Sequence, residues 1–318
     1  MRVAVIGAGS IGGHMAVRLA RAGLDVSVVA RGAHGEAMAR EGLVLETGGE
    51  TIRAHPRVAT PERAAELGVQ DAVVVAVKAL SLDGIAPLLP PLMGKGSLAL
   101  FAVNGLPWWY MEELCGPAHL PPLAMGLALR GLLAPGQVLG CVANSANHKQ
   151  APGVIHNSDS LNRFTIGRAD GAECLTGRAL AAALTQGGAE GVWSEDIRYD
   201  VWQKLLTNGW SAPLGCLTGL STKAVAADPA LRRIMASLIG EIRGLAARCG
   251  VPLPEQPLPD PAKLPDHRTS MLQDLQAGIP VEFDAVLGAP NYLAHLMGSD
   301  RCAMNTVLDL LRWRLAAA

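Results

Sequence analysis

The chain has little charge, and the charge it has is balanced. Only 17% of its 318 residues are Asp, Glu, Lys or Arg, and the net charge is −1 at pH 7. It has no long basic run, so it lacks the electrostatic features of a partner for nucleic acid or for an anionic membrane. Its hydrophobic content of 50% indicates a well-buried globular protein, and its length is typical of two domains.

Long apolar runs and paired cysteines are also missing. Apolar runs such as AVVVAV at 72–77 have the length of a strand and not of a membrane-spanning helix. The run that opens the chain is too short for a signal peptide and ends in glycines, so we expect a cytoplasmic protein. The six cysteines lie far apart and form no C-x-x-C pair. They indicate reduced, mostly buried thiols and no metal site.

Lysine is scarce, because only six of the 27 basic residues are lysines. One of them, Lys204, lies in the stretch DIRYDVWQKLLTNGWSAP (196–213), which has the periodicity of an amphipathic helix. Four apolar residues of this helix share one arc of about 80°: Ile197, Val201, Leu205 and Ala212. Asn208 projects within that arc and Lys204 lies at its edge.

Two interpretations of this pair are open. Lys204 could extend its ammonium to water beside a satisfied core amide, Asn208. Alternatively, the pair could be chemical: lysine, unlike arginine, can give up a proton near neutral pH when it is desolvated. The retention of a lysine here, in an arginine-rich chain, favours chemistry.

The first part of the chain alternates strands and helices, which is typical of a parallel sheet wrapped by helices. The predicted elements are strands at 2–8, 25–30, 71–77 and 97–103, a helix at 11–22, further strands within 137–168 with turns at APG and NSD, a helix at 173–186 and a short strand, GVWS. We therefore predict an α/β, Rossmann-type dinucleotide-binding domain over residues 1–195.

The rest of the chain has helical periodicity. The predicted helices cover 197–211, 229–249, 268–277, 281–297 and 303–315. A proline-rich stretch at 250–267 connects two of them and is predicted to be a surface loop. We therefore predict an all-α C-terminal domain over residues 196–318, which carries the substrate and the catalytic residues.

A glycine-rich turn, GAGSIGG, follows the first strand and opens the first helix. Gly7, Gly9 and Gly12 have G-x-G-x-x-G spacing, and Ser10 and Ile11 lie between the second and third glycine. The first glycine permits a sharp turn, the second lets the backbone approach a pyrophosphate, and the third lets the helix pack against the strand. In this context the motif predicts a dinucleotide site, although glycine-rich packing alone would also give it.

The end of the second strand indicates which dinucleotide is bound. Arg31 stands where an NAD enzyme usually carries an acid, and arginine would bind a 2′-phosphate. The sequence therefore predicts NADPH, the alternative being an exposed arginine without a ligand. Lys78 and Asn104 follow two later strands, at the sheet edge where open α/β sheets bind ligands.

Together these residues resemble the ketopantoate reductases (2-dehydropantoate 2-reductases) over nearly the whole chain. The resemblance rests on GAGSIGG, on VKA at 77–79, on NG at 104–105, on DIRYDVWQKLLTN and on SMLQDLQAGIPVEFD at 270–284. It implies reduction of ketopantoate to pantoate by hydride transfer from NADPH, in pantothenate and coenzyme A biosynthesis. The expected partner is thus a small 2-keto acid, and a homodimer is one open oligomeric state.

The resemblance also implies roles for individual residues. Lys204 is the catalytic acid, and Glu282 is a catalytic residue that binds substrate. Asn104 and Asn208 hold the keto acid, and Ser270 contacts it. Lys78 lies between cofactor and substrate, and Asn104 also belongs to the cofactor site.

Two positions depart from the family pattern. Ala212 stands where many relatives carry a second asparagine, and Val103 stands where they carry glutamine. These departures leave two alternatives open: an NADPH-dependent reductase of another branched 2-keto acid, and an inactive NADPH-binding regulatory protein. The presence of Lys204 and Glu282 argues against the second, because a pure binder needs no proton donor.

Overall fold

The structure is a computed structural model that describes residues 1–116 and 126–316, with the side chains of residues 159 and 160 excepted. The chain forms two compact units. The first comprises Met1–Val103 and Met125–Ile197, and the second Asn104–Ala124 and Arg198–Ala318.

The first unit is built on one mixed sheet. Within the described residues its ten strands, numbered along the chain, are β1 (Arg2–Ile6), β2 (Asp25–Val29), β3 (Leu43–Thr47), β4 (Glu50–Ala54), β5 (Arg57–Ala59), β6 (Gln70–Val75), β7 (Met93–Phe101), β8 (Val138–Ala151), β9 (Val154–Arg168) and β10 (Glu190–Trp193). The strand order is β4-β3-β9-β8-β7-β6-β1-β2-β5, with β10 beside β9. In its described part this unit has four α-helices: α1 (Ser10–Arg21), α2 (Gly32–Glu41), α3 (Leu82–Ile85) and α5 (Leu175–Gln186).

The centre of this sheet is parallel, as the sequence predicts. Strand β1 pairs in parallel with β2 on one side and with β6 on the other, and β6 pairs in parallel with β7. The chain thus leaves β1 in one direction and later returns on its other side, which places a topological switch point at the end of β1. Residues 72–75 of β6 are completely buried, as expected of a central strand with both faces covered.

Strands β8 and β9 form a long antiparallel hairpin whose turn contains Pro152 and Gly153. This confirms one of the two turns predicted within 137–168. The other, at NSD, is wrong, because residues 157–159 lie inside β9. Asn157 is tolerated there because its buried side chain is hydrogen bonded to Thr47 (2.9 Å) and Asn147 (2.9 Å).

The second unit is helical in its described part. Its helices are α4 (Trp108–Cys115), α6 (Ile197–Thr218, whose first residue is counted with the first unit), α7 (Thr222–Ala227), α8 (Pro229–Arg248), α9 (Ser270–Gln276), α10 (Ala289–Leu296) and α11 (Cys302–Ala316). The proline-rich stretch 250–267 is a loop with one 3₁₀ turn at Pro261–Lys263, as predicted. Within residues 1–116 and 126–316, no helix has the length and apolarity that crossing a bilayer requires.

The larger differences between predicted and observed boundaries concern the helical unit. Helix α6 continues to Thr218, because Pro213 is buried inside it without ending it. The helix expected at 281–297 begins instead as a π-helical turn, Asp284–Gly288, which continues into α10. The predicted boundary at 195/196 also did not anticipate that the described residues 104–116 belong to the helical unit.

Candidate active site

The glycine-rich turn has the backbone that its motif predicts. Gly7 has a φ of +88°, and a Cβ on Gly12 would lie 2.2 Å from the carbonyl oxygen of Gly7. Substitution of either glycine would therefore distort the turn. A Cβ on Gly9, in contrast, would meet no atom of the described residues within 4 Å, so this side of the turn is open in the described structure.

The open turn leads directly into α1. Gly9 is the N-cap residue of α1, and no side chain caps this end of the helix. The first N–H groups of a helix have no intrahelical partner, and the helix dipole makes this end attractive to anions. Open space, backbone donors and a favourable dipole together fit a pyrophosphate. Ser10 and Ile11, both half-buried, complete this turn.

Arg31 and Lys78 follow two strands that flank β1. Arg31 is exposed, is the N-cap residue of α2 and lies two residues after the end of β2. Lys78 is half-buried and precedes a 3₁₀ turn, Ala79–Ser81, after β6. Both side chains thus follow the carboxyl ends of parallel strands, the edge at which open α/β sheets bind ligands. An exposed guanidinium there is suited to a phosphate.

Lys204 is in direct contact with Asn104 in the helical unit. The Nζ atom of Lys204, on α6, donates a hydrogen bond of 2.7 Å to Oδ1 of Asn104. Both side chains are half-buried. The ammonium is therefore held by an amide oxygen at one defined point, whereas a lysine that only extends its charge to water needs no such partner.

The apolar stripe predicted for α6 is buried. Ile197, Val201, Leu205 and Ala212 are between 1% and 7% exposed, and Asn208 on the same face is half-buried. Gly215 lies seven residues after Asn208, and therefore on the same stripe two turns along. A Cβ at Gly215 would be 3.7 Å from the hydroxyl oxygen of Thr269, the N-cap residue of α9. This end of the stripe thus lies close to the start of α9, whose first residue is the exposed Ser270.

Glu282 is half-buried and precedes the π-turn, so it lies just before its helix and not in the first turn as predicted. Its carbonyl accepts a long bond of 3.4 Å from the N–H of Val286. A π-turn joins residues i and i+5, and the residue five after Ala285 is Pro290, which has no N–H. The Ala285 carbonyl consequently lacks a π-helical donor.

That carbonyl is bound by the segment that carries Asn104. The N–H of Leu106 donates a hydrogen bond of 3.0 Å to the carbonyl oxygen of Ala285. Gly105 has a φ of +84°, and a Cβ there would lie 2.1 Å from the same oxygen. Only glycine therefore permits this approach. The structure thus joins the Asn104 segment to Lys204 by a side chain, and to the turn after Glu282 by the backbone.

Helix α4 continues this segment with buried aromatic residues. The indole N–H of Trp202, on α6, donates a hydrogen bond of 3.0 Å to the hydroxyl of Tyr110, whose pKa burial raises to about 12. The phenol is thus neutral at all ordinary pH values. Arg198 forms an ion pair of 2.7 Å with Glu113. These contacts place residues 104–116 with the helical unit, which the sequence analysis missed although the apolar run WWY indicated a buried helix.

Cysteines and other metal-binding side chains are dispersed in the described part of the chain. In the described part of the chain, His, Cys, Asp and Glu side chains form no group of three or more that could hold a metal ion. All six cysteines are free thiols; three are buried, two are half-buried and Cys302 is exposed.

Comparison with known proteins gives one consistent result. Residues 3–171 match the family model "Ketopantoate reductase PanE/ApbA", and residues 196–314 match its C-terminal counterpart. The chain belongs to the ketopantoate reductase family. This family consists of dinucleotide-binding oxidoreductases.

Individual relatives cover the full length of the chain. The 2-dehydropantoate 2-reductase of Mesorhizobium japonicum is 36% identical over 99% of this chain and 98% of its own. The structure of a protein from Ralstonia solanacearum MolK2 has a TM-score of 0.89 and 31% identity, over 99% and 98% of the two chains. That of 2-dehydropantoate 2-reductase from Methylococcus capsulatus has a TM-score of 0.85 and 25% identity, over 100% and 97%.

Proposed function

We propose that this protein catalyses the NADPH-dependent reduction of 2-dehydropantoate (ketopantoate) to pantoate, a step of pantothenate and coenzyme A biosynthesis. The observation that carries the proposal is the 2.7 Å contact between Lys204 and Asn104. It holds a proton donor in a defined position on a helix whose sequence carries the family's motif. The 36% identity to a curated 2-dehydropantoate 2-reductase supports the substrate.

The residues of the helical unit would perform the proton chemistry. Bound NADPH supplies the hydride that the carbonyl carbon receives. Negative charge then develops on the carbonyl oxygen, and the Lys204 ammonium stabilises it and transfers its proton to it, giving the hydroxyl of the product. Such general acid catalysis contributes about 10²–10⁴-fold. The neutral amine that remains regains its proton from water.

The other polar residues would position the substrate. Asn104 orients the ammonium through its amide oxygen and offers its amide N–H groups to the keto acid. Asn208 lies one turn after Lys204 on α6 and would hold the keto acid with it. Glu282 and Ser270 are the candidates to bind the terminal hydroxyl of ketopantoate, because Ala212 has no amide group that could bind it. A side chain that pairs with this hydroxyl would discriminate strongly against an analogue that lacks it.

The cofactor is proposed to be NADPH, held in the first unit. The pyrophosphate would be bound by the turn that contains Gly7, Gly9, Ser10, Ile11 and Gly12. Arg31 would bind the 2′-phosphate, and Lys78 and Asn104 would contact the nicotinamide half. Arg31→Asp should weaken NADPH binding by about tenfold or more and NADH binding much less, because the new carboxylate would repel the 2′-phosphate, which only NADPH carries. Arg40→Asp, a charge reversal at an exposed position of the same helix, is the control. A wild-type protein that prefers NADH tenfold would contradict the proposed role of Arg31.

The proposed function has consequences for the location and the assembly of the enzyme. We propose that the enzyme works in the cytoplasm, and that a homodimer is its assembly state. Light scattering coupled to size-exclusion chromatography measures the mass directly, and a monomer at micromolar concentration would exclude the dimer.

A substrate panel tests the proposed activity. Oxidation of NADPH would be followed at 340 nm with ketopantoate and with other branched 2-keto acids, at matched concentrations. We expect the highest kcat/KM with ketopantoate. A higher kcat/KM with another 2-keto acid would reassign the substrate, and binding of NADPH without turnover of any keto acid would contradict the enzymatic function itself.

A further inference from the structure

A histidine outside the glycine motif contacts the backbone of the phosphate-binding turn. His34 lies on α2, three residues after Arg31. Its Nε2 atom is 2.7 Å from the carbonyl oxygen of Ala8, the residue between Gly7 and Gly9. On its other side, Nδ1 of His34 accepts a hydrogen bond of 2.9 Å from the N–H of Gly153, in the turn between β8 and β9.

These two partners determine the tautomer of His34. A carbonyl oxygen can only accept, so Nε2 must carry the proton, and an amide N–H can only donate, so Nδ1 must be free of one. His34 is therefore a neutral imidazole with its proton on Nε2. Both of its nitrogen atoms are used to join two backbone segments.

The Gly153 side of this bridge is itself fixed. Gly153 is buried and has a φ of +76°, and its carbonyl accepts a hydrogen bond of 2.8 Å from the N–H of Val44. A Cβ on Gly153 would approach the Cβ of Ala37, on α2, to 3.3 Å. The hairpin turn thus packs against the helix that carries His34, so the imidazole has a rigid support.

The Ala8 side of the bridge determines the direction of an N–H group. In a trans peptide the C=O of one residue and the N–H of the next point in opposite directions. When His34 holds the Ala8 carbonyl, the Gly9 N–H points away from His34. Gly9 is the N-cap residue of α1, and the space beside its Cα is open. Its N–H is thus presented at the end of the helix that would receive a pyrophosphate.

We propose that His34 is a positioning residue of the dinucleotide site, which fixes the Ala8–Gly9 peptide so that the Gly9 N–H is preorganised for the pyrophosphate. The inference rests on the proposed dinucleotide function and adds a residue to it. His34 acts on the part of the ligand that NADPH and NADH share, and Arg31 acts on the 2′-phosphate that only NADPH carries. The two residues are therefore distinguishable by the ligand that each variant loses.

Two variants with side chains of similar size distinguish the effect of losing the hydrogen bonds of His34 from the effect of changing its volume. His34→Phe keeps a ring but loses both bonds, whereas His34→Gln can donate to Ala8 and accept from Gly153 through its amide. Binding of NADPH, NADH and 2′-AMP would be measured by titration calorimetry, with thermal unfolding as the test of folding. 2′-AMP is the informative probe because it carries the 2′-phosphate but no pyrophosphate. His55→Ala, which removes an exposed imidazole in the same unit, is the control.

We expect His34→Phe to lower the affinities for NADPH and NADH by the same factor, about tenfold, and to leave 2′-AMP binding unchanged. His34→Gln should restore most of the loss. Arg31→Ala should show the opposite pattern, with NADPH and 2′-AMP weakened and NADH unchanged.

Three results would overturn the inference. One is unchanged dinucleotide binding in His34→Phe, and another is loss of 2′-AMP binding in that variant. If His34→Phe does not fold, ¹⁵N NMR of labelled histidine in the wild-type protein with NADPH bound replaces this variant. The third result is then a proton on Nδ1 of His34, because a protonated Nδ1 cannot accept the hydrogen bond from Gly153. A wild-type protein that binds neither dinucleotide would overturn the proposed function as well, which distinguishes the two failures.

Discussion

The ammonium of Lys204 donates a hydrogen bond of 2.7 Å to the amide oxygen of Asn104, a residue one hundred positions earlier in the chain. The second partner belongs to a short segment, residues 104–116, that leaves the strand-rich part of the sequence and joins the helices. Helical periodicity and the scarcity of lysine singled out Lys204 in the sequence, and this contact gives its ammonium a defined position.

Loss of the Lys204 ammonium should abolish most of the turnover. We expect Lys204→Ala to lower kcat by about 10²-fold or more, with the Kd for NADPH little changed, because the missing proton transfer affects the transition state. Steady-state kinetics with ketopantoate and calorimetry with NADPH measure the two quantities. Lys223→Ala, at an exposed lysine of α7, is the matched control and should be neutral. Unchanged turnover in Lys204→Ala would show that Lys204 is a solvated lysine without a catalytic role.

Asn104 should act partly through Lys204. Asn104→Ala removes the acceptor of the ammonium, and we expect kcat to fall by about tenfold or more. Because the two residues form one unit, the double variant Lys204→Ala/Asn104→Ala should be little slower than Lys204→Ala alone. A full kinetic double-mutant cycle measures this coupling. Strictly multiplicative effects would show that Asn104 acts on the substrate independently of Lys204.

Gly105 should be intolerant of any side chain. A Cβ there would lie 2.1 Å from the Ala285 carbonyl oxygen, so Gly105→Ala must displace either the Asn104 segment or the turn after Glu282. We expect a loss of about 1–3 kcal/mol of unfolding free energy and a fall in kcat of at least about tenfold. Gly116→Ala is the matched control, because Gly116 also has a positive φ, +67°, but a Cβ there would meet no atom of the described residues within 4 Å. It should cost stability alone, and equal kcat losses in both variants would contradict the positioning role of Gly105.

The terminal hydroxyl of ketopantoate should be recognised through Glu282. The test compares kcat/KM for ketopantoate with that for the keto acid that lacks this hydroxyl, in the wild type and in Glu282→Ala. We expect the wild type to prefer ketopantoate strongly, since an analogue without the hydroxyl cannot donate the hydrogen bond that ketopantoate would donate to the Glu282 carboxylate, and the variant to lose the preference. Glu255→Ala, in the exposed proline-rich loop, is the control. A wild-type enzyme that reduces both acids equally well would favour a different branched keto acid as substrate.

Stability should fall in mild acid because of His14. This residue of α1 is fully buried; it accepts from Arg18 Nε (3.1 Å) and donates from Nδ1 to Asn147 (2.7 Å). Burial, with the nearby Arg18 guanidinium, lowers its pKa to about 4 from the ordinary value of 6.5. The unfolded chain therefore binds this proton more readily than the folded one, so the stability due to neutral His14 is complete above pH 6.5 and is lost as pH falls from 6.5 towards 4.

The expected loss between pH 7 and pH 5 is about 2 kcal/mol of unfolding free energy. Urea unfolding across this range measures it. His14→Gln, which cannot be protonated, should give a flatter dependence on pH, and the difference between the two curves isolates His14 from the carboxylates. Parallel curves would show that His14 does not govern the acid response.

Local patterns were sufficient for much of this protein. The strand at residues 2–6 follows from a continuous apolar run, and the turn and helix after it follow from the G-x-G-x-x-G spacing of Gly7, Gly9 and Gly12. The buried stripe of α6 follows from helical periodicity. In each case the physical cause acts over a few residues, so the sequence itself determined the outcome.

Tertiary structure decided the rest. Nothing near Leu106 in sequence indicates that its N–H binds the carbonyl of Ala285, because the acceptor lies 179 residues further on, in a π-helical turn where Pro290 cannot supply the i+5 donor. In the same way, His34 is an ordinary helical histidine until the hairpin turn at Gly153 is brought beside it. Hydrogen bonds between distant backbone segments depend on which groups the fold leaves unpaired, and this is determined only when the whole chain has packed.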